Sequence, residues 1–356
     1  MRNRSLETSF DAQASGRQPS GRRPRVAVVA LLLLVGIVGA VLTAPAASSH
    51  GLDAHHVAAT SGPYVTFLFS RTEMTAADAC VANNTGVARL DTVVAPYLAA
   101  RGWTGTGTLV TGKTRATATS CVHTASSLTA SWAQATSLAD RGWSFTSHTA
   151  TYPASVSGLT PAQSQTETCG SADTIDQHGL PGGHGMISYP GAQDEPVALQ
   201  TDYAANCFAW GRQYGSEGVT FSAAGHTAPY WQHTIVVNGG PCNVKTRPCY
   251  TVSATGGSRY QLPSRFIGYI KALTPGQWFT LQAYLLVTGK NPAYSSSPIR
   301  WDCTAADPRL HWTNDNERYC YKDWQSVVNA VSSVPGVVVT DPLTVGIAFG
   351  RPASYP

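Results

Sequence analysis

Charge is scarce in this chain: Asp, Glu, Lys and Arg together make up only 12% of its 356 residues. The formal net charge of +4 is local in origin. Arg2, Arg4, Arg17, Arg22, Arg23 and Arg25 outweigh Glu7 and Asp11 near the N-terminus and leave the rest of the chain formally neutral. A neutral body offers no electrostatic footprint for nucleic acid, which excludes that class of partner. Cys-x-x-Cys pairs are missing, so neither a zinc knuckle nor a dithiol redox site is indicated. No Gly-x-Ser-x-Gly nucleophile elbow occurs. Gly182-Gly183 and Gly256-Gly257 lack the spacing and the following Lys-Ser/Thr of a phosphate loop, which excludes nucleotide binding. With no internal repeat and no second composition regime, the body reads as one folded domain.

What is present begins with a hydrophobic run. Val26 to Ala44 carries no charge and approaches the roughly 20 apolar residues that span a bilayer. Arginines precede it and no Asp, Glu, Lys or Arg follows until Asp53, which puts the N-terminus inside and the body outside. Ala44-Pro45-Ala46 resembles a small-x-small cleavage site, so a single-pass anchor and a cleaved signal both stay open. The expected organisation is a disordered cytoplasmic tail over 1–25, a transmembrane anchor or signal segment over 26–46, a linker over 47–61 and the folded domain over 62–356. The expected location is the extracellular face of the membrane, or the medium after cleavage.

All 8 cysteines follow the hydrophobic run. An even number in an exported body reads as disulfides. Nearest-neighbour pairing gives Cys80–Cys121, Cys169–Cys207, Cys242–Cys249 and Cys303–Cys320 as the expected set.

Strand and helix patterns alternate along the body. Strands are expected at Tyr64–Phe69, Thr108–Thr111, around Phe145, at Gly185–Tyr189, Cys207–Trp210, Thr234–Val237, over the long apolar run Trp278–Val287, and at Val337–Thr340. Helices are expected at Thr75–Asn83, Leu90–Arg101, Leu128–Arg141, Leu262–Leu273 and Asp323–Val334, and over Thr160–Gln177, where Thr160 precedes Pro161 as a cap. Strands alternating with helices imply a parallel sheet with right-handed crossovers. About seven or eight such units predict an α/β fold, a closed or nearly closed β/α barrel. Sites on such folds gather at the carboxyl ends of the strands. Gly142 to Pro153, a short strand running out into His148, Thr149, Thr151 and Tyr152, is the stretch around which the others are placed.

The order of the strand ends carries a resemblance. Val65-Thr66-Phe67-Leu68-Phe69-Ser70-Arg71, His148-Thr149-Ala150-Thr151-Tyr152, Tyr189-Pro190-Gly191 and Leu281-Gln282-Ala283-Tyr284 together resemble the layout of the polysaccharide deacetylases (NodB-type, carbohydrate esterase family 4). The resemblance implies a distorted (β/α)7-8 barrel over roughly Tyr64 to Thr340. It also implies a hydrolase that removes acetyl groups from N-acetylated sugars with a divalent metal. On the matching positions, the family's two acidic residues fall on Ser70 and Arg71. Its second metal histidine falls on Tyr152, the arginine of its third motif on Ser188, and its late histidine near Ala283 or Tyr284. His148 alone keeps a metal-ligating side chain. A catalytic zinc takes about three protein ligands, so the residues predict that the family's metal triad is largely lost and indicate no cofactor. Arg71 would also set a fixed positive charge where the family holds a cation.

Two chemistries then stand beside each other. In a metal-independent hydrolase, Glu73 serves as general acid/base, Arg71 stabilises developing negative charge, and His148 and Tyr152 complete the site. In a non-catalytic carbohydrate-binding or wall-interaction module, Trp210 and Tyr214 offer flat faces, with Trp103, Trp143 and Trp231 as further candidates. Arg212, Gln282 and Tyr284 offer hydrogen bonds. An Arg71–Glu73 ion pair that only locks its loop, and tryptophans that only pack the core, are the structural readings of the same residues. Under either chemistry the expected partner is a glycan of the cell envelope or surroundings.

Overall fold

The computed structural model describes residues 62–70, 88–114, 130–153, 158–190, 205–214, 221–222, 232–237, 262–291, 301–304, 312–313, 318–350 and 354–355. All lie in the compact unit His55–Pro356. The hydrophobic run 26–44, the helix expected at Thr75–Asn83, and Arg71, Glu73, Cys80, Cys121, Trp231, Cys242 and Cys249 lie outside the described residues. No helix among the described residues is long and apolar enough to cross a membrane.

Parallel strands form the framework. They are β1 (Tyr64–Phe69), β2 (Thr106–Leu109), β3 (Ser144–Ser147), β4 (Met186–Ser188), β5 (Trp210–Tyr214), β7 (Gln232–Val237) and β8 (Gln277–Ala283), while the short β6 (Phe221–Ser222) pairs antiparallel with β8. Each of β1 to β4 pairs in parallel with the next, β5 pairs with β7, and β7 with β8. The sheet curls until β8 meets β1 along its whole length, from Tyr64 opposite Trp278 to Phe69 opposite Ala283. On its other side β1 pairs with β2 only through Leu68 and Phe69. The final strand (Val338–Val339) fills the lower half through Tyr64 and Val65. The parallel curled sheet expected from the alternating pattern is present.

After β8 come β9 (Leu285–Val287), β10 (Lys290–Asn291), β11 (Trp301–Asp302), β12 (Trp312–Thr313), β13 (Arg318–Cys320) and β14 (Val338–Val339). The helices are α1 (Ala95–Ala99), continuing a π-turn over Leu90–Val94, then α2 (Trp132–Ala139), α3 (Pro161–Glu167), α4 (Cys169–Gln177), α5 (Pro263–Lys271), α6 (Tyr321–Val331) and α7 (Pro342–Ala348).

Side chains alternate across the sheet. Phe67, Phe69, Leu109, Phe145, Phe279 and Leu281 point outward into the main core, where they meet Leu98, Leu138, Phe266, Trp324 and Val328 from the surrounding helices. Each such side chain contributes about 1.5–3 kcal/mol on burial. The inward face is divided by height. At the amino ends, Tyr64, Met186, Trp210 and Trp278 pack with Val345 of α7, and the Trp210 and Trp278 rings lie 5.1 Å apart. At the carboxyl ends the inward residues are polar.

Five points differ from expectation. The long strand Trp278–Val287 breaks at Tyr284, because Leu285–Val287 leave the barrel to pair with β13. The strand expected at Cys207–Trp210 begins only at Trp210. The disulfide to Cys169 on α4 and the His184 Nδ1 bond to the Cys207 carbonyl (2.6 Å) hold Cys207 in a helical turn instead. The strand expected at Thr108–Thr111 moves back to Thr106–Leu109, and Thr111–Lys113 form a 3-10 turn. Helix α7 was unforeseen: Asp341 caps it by accepting bonds from the Leu343 and Thr344 amides. The expected helix over Thr160–Gln177 is two, α3 and α4, meeting at Thr168, with Thr160 in a capping box with Gln163. Of the expected disulfides, Cys169–Cys207 and Cys303–Cys320 are formed.

Candidate functional site

His148 follows directly on β3 and is 3% exposed. Its Nδ1 lies 2.8 Å from the Ser188 carbonyl oxygen. A carbonyl only accepts, so Nδ1 carries the proton, and in the neutral ring the lone pair sits on Nε2. The Tyr152 ring stands edge-on to the imidazole at 4.8 Å, and Lys113 Nζ lies 5.5 Å from the centre of the Tyr152 ring. Thus His148 and Tyr152, paired by the sequence motif, are brought together.

The loop that does this is strained. Thr149 and Tyr152 adopt left-handed backbone conformations, with φ of 66° and 60°. For a β-branched residue this is an outlier, and such conformations cost about 1–3 kcal/mol each. A dense set of hydrogen bonds holds them. The Thr149 amide donates to Ser147 Oγ (3.0 Å) and the Tyr152 amide to Thr149 Oγ1 (3.1 Å). The Glu167 carboxylate, at the end of α3, accepts from the Thr151 amide (2.8 Å) and from Thr151 Oγ1 (2.6 Å). The Gly112 amide donates to the Ala150 carbonyl at 2.8 Å. A Cβ on Gly112 would stand 2.8 Å from that oxygen, so the close approach requires glycine. Glu167 was not singled out from sequence; a lone Glu at a helix end carries no signal until the loop folds onto it.

Below the loop the inward face is polar and closed to solvent. Ser70, Thr108, Thr146, Ser188, Arg212 and Gln282 are all buried. Ser188 and Arg212 are direct neighbours in register on β4 and β5. Ser70 Oγ, Thr146 Oγ1 and Ser188 Oγ have no hydrogen-bond partner among the described residues. An unsatisfied buried polar atom costs about 1–3 kcal/mol, so three on one face mark a place for a ligand or ordered water.

The other sequence candidates fall as follows. Tyr284 occupies the bend just beyond β8, at the same end of the barrel. Tyr214 ends β5, its side chain lying outside the described residues. Trp210 opens β5 at the opposite end, 1% exposed, with its Nε1–H donated to the Pro342 carbonyl (2.9 Å). Trp143 stacks on Phe69 at 5.2 Å, and Trp103 packs on Phe67 at 5.9 Å. These three therefore pack the fold.

For a divalent metal, His148 Nε2 is the matching nitrogen at this end. Among the described residues no three His, Cys, Asp or Glu side chains come together to hold an ion. With a single imidazole, the described donor set does not fit a catalytic metal.

No protein-family model matches the chain, and no curated protein matches it. Solved structures do. One is the Streptococcus pyogenes deacetylase PplD in complex with acetate, at 20% identity over 47% of this chain and 62% of that one, with a TM-score of 0.34. A second is a family 4 carbohydrate esterase from Streptomyces lividans in complex with acetate, at 12% identity, 62% and 79% coverage and a TM-score of 0.31. A third, from Mycobacterium smegmatis and assigned by its description to the polysaccharide deacetylases, has 13% identity, 83% and 95% coverage and a TM-score of 0.44. All three are of the class that the strand-end motifs resemble. The match spans less than two thirds of the Streptococcus protein. At these identities and scores the likeness carries no argument about activity, and the architecture rests on the strand pairings above.

Proposed function

We propose that the protein is a polysaccharide deacetylase-like barrel whose carboxyl-end mouth takes a glycan, with acetylated sugars as the substrate class. The observation that carries this reading is the His148 site. A buried imidazole is locked into one tautomer by the Ser188 carbonyl and flanked by Tyr152, on a strained loop at the end of a barrel strand where ligands bind. His148 Nε2 accepts a proton, and Tyr152 and Lys113 shape the mouth. Export is part of the same proposal. It is supported by the arginine-flanked run 26–44 and by paired cysteines, which persist in oxidising compartments.

The test uses the full chain in detergent with acetylated chito-oligosaccharides, following acetate release by mass spectrometry with chelator and with added divalent metal, beside His148→Ala. Turnover lost in the variant supports the hydrolase. Insensitivity to chelator assigns it to the metal-independent form. Saturable binding of the same oligosaccharides without turnover assigns the barrel to the binding-module reading. Neither binding nor turnover overturns the proposal.

A further inference from the structure

Every amide of the site loop from Thr149 to Tyr152 is hydrogen-bonded. Two of them go to Glu167: the Ala150 amide donates to its carbonyl (3.1 Å) and the Thr151 amide to its carboxylate. The Thr149 amide reaches the same α3–α4 junction through two hydroxyls. It donates to Ser147 Oγ (3.0 Å), and Ser147 Oγ is in turn bonded to Ser171 Oγ. Ser171 Oγ lies 2.6 Å from the Thr168 carbonyl oxygen. A carbonyl only accepts, so Ser171 spends its one proton there, and the proton between the two serines comes from Ser147. The direction of every bond is thereby fixed: Thr149 amide to Ser147, Ser147 to Ser171, Ser171 to Thr168. All four residues are 0% exposed, and buried hydrogen bonds in series strengthen one another. The junction where the series ends is itself tied down, since Cys169, next after Thr168, forms the disulfide to Cys207. The ring so closed, 169–207, holds Ser171 and also Ser188, whose carbonyl orients His148. One cross-link therefore joins the support of the strained loop to the group that sets the imidazole tautomer. The ring closed by Cys303–Cys320 holds neither.

We propose that Ser171 and the Cys169–Cys207 disulfide are positioning groups for the candidate site: through the two serine hydroxyls they keep Thr149 left-handed and hold the Tyr152 ring edge-on to His148. This rests on the His148 reading above and adds to it the support that aligns the two rings. A left-handed threonine is disfavoured by its own sterics, so its amide needs an acceptor that does not turn away. The Ser147 oxygen is such an acceptor because its own proton is committed to Ser171.

The test is NMR on the full chain in detergent, labelled at histidine and tyrosine and without ligand. The readouts are the His148 ring signal, identified by its loss in His148→Gln, and its cross-peak to the Tyr152 ring. Tyr152→Leu gives the position of that signal for an imidazole with no ring beside it. Ser171→Ala and the paired Cys169→Ala, Cys207→Ala variant are expected to lose the cross-peak and to move the His148 signal to the Tyr152→Leu position. Where the native chain binds acetylated chito-oligosaccharides, both are expected to weaken that binding about five- to tenfold, the worth of about one hydrogen bond. The paired Cys303→Ala, Cys320→Ala variant is expected to lower the thermal midpoint and to keep the cross-peak. A cross-peak kept in Ser171→Ala or in the Cys169, Cys207 pair, or lost equally in the Cys303, Cys320 pair, overturns the proposal. Should a cysteine pair fail to fold, Ser171→Ala and Ser147→Ala, which removes the acceptor of the Thr149 amide, decide the matter: loss in both supports it and retention in either overturns it. The ring signals are read without glycan, so failure of the glycan reading leaves them unmoved. Retained signals in the variants beside oligosaccharide binding or turnover remove only this inference.

Discussion

Removing the Glu167 carboxylate is the sharpest perturbation of the site loop that leaves His148 itself in place. Glu167 is 8% exposed and accepts two bonds from Thr151, one from its amide at 2.8 Å and one from its hydroxyl at 2.6 Å. Thr151 lies between the two left-handed residues, Thr149 and Tyr152. Hydrogen bonds to a charged group contribute roughly 1.5–3 kcal/mol each, and the two share one rigid acceptor, so Glu167→Ala is expected to cost about 2–4 kcal/mol. That is similar to the strain of about 1–3 kcal/mol per left-handed residue that those bonds oppose. The loop should therefore relax toward ordinary backbone angles and release Tyr152 from the imidazole. Urea unfolding would show a lower midpoint at unchanged slope, and ligand affinity at the mouth would fall with it. Thr151→Val removes only the hydroxyl bond and should cost about half as much. A loss below about 0.5 kcal/mol for Glu167→Ala, or full retention of glycan affinity, would refute the claim that this carboxylate holds the site in shape.

Two further outcomes follow from other parts of the fold. The hydrogen bond to Asp176, foremost, and the Cys207 carbonyl, with Asp173 nearby, raise the His184 pKa against the opposing effect of burial. Its contribution to stability is then fully present below the unfolded value of about 6.5 and is lost as pH rises through the higher folded value. Asp176→Asn should flatten that part of the stability–pH curve in thermal melts, and an unchanged curve would count against it. Asp341→Ala removes the cap that accepts from the Leu343 and Thr344 amides; a loss of about 1–2 kcal/mol in denaturant melts is expected, and no loss would show that α7 is held by packing alone.

How much of this was legible beforehand varies with the range of the forces. The strand Tyr64–Phe69 and the cap at Thr160 were set by neighbours in the chain and were readable there, whereas the disulfides Cys169–Cys207 and Cys303–Cys320, matched by nearest-neighbour pairing, join residues 38 and 17 positions apart and depend on the fold. The motif at His148 and Tyr152 was readable as a pattern of residue types. Its strained backbone was not, since a left-handed threonine is disfavoured by its own sterics and is held by bonds that include those with Ser147, Glu167 and the β2 loop. Trp210 shows the opposite limit. An aromatic near a strand reads alike at either end of the barrel, and the disulfide at Cys207 decided that it would open the strand instead of closing it.

By itself the sequence determined an α/β body with a parallel sheet, because the periodicity and caps of each element are local free energies summed along the chain. Only the tertiary structure decided that β8 would return to β1, that α7 would plug the amino ends, and that Ser70, Thr146, His148, Ser188 and Arg212 would share one inward face. Those outcomes depend on pairings between residues as much as about 270 positions apart, whose cost in chain entropy is recovered only when the whole ring forms.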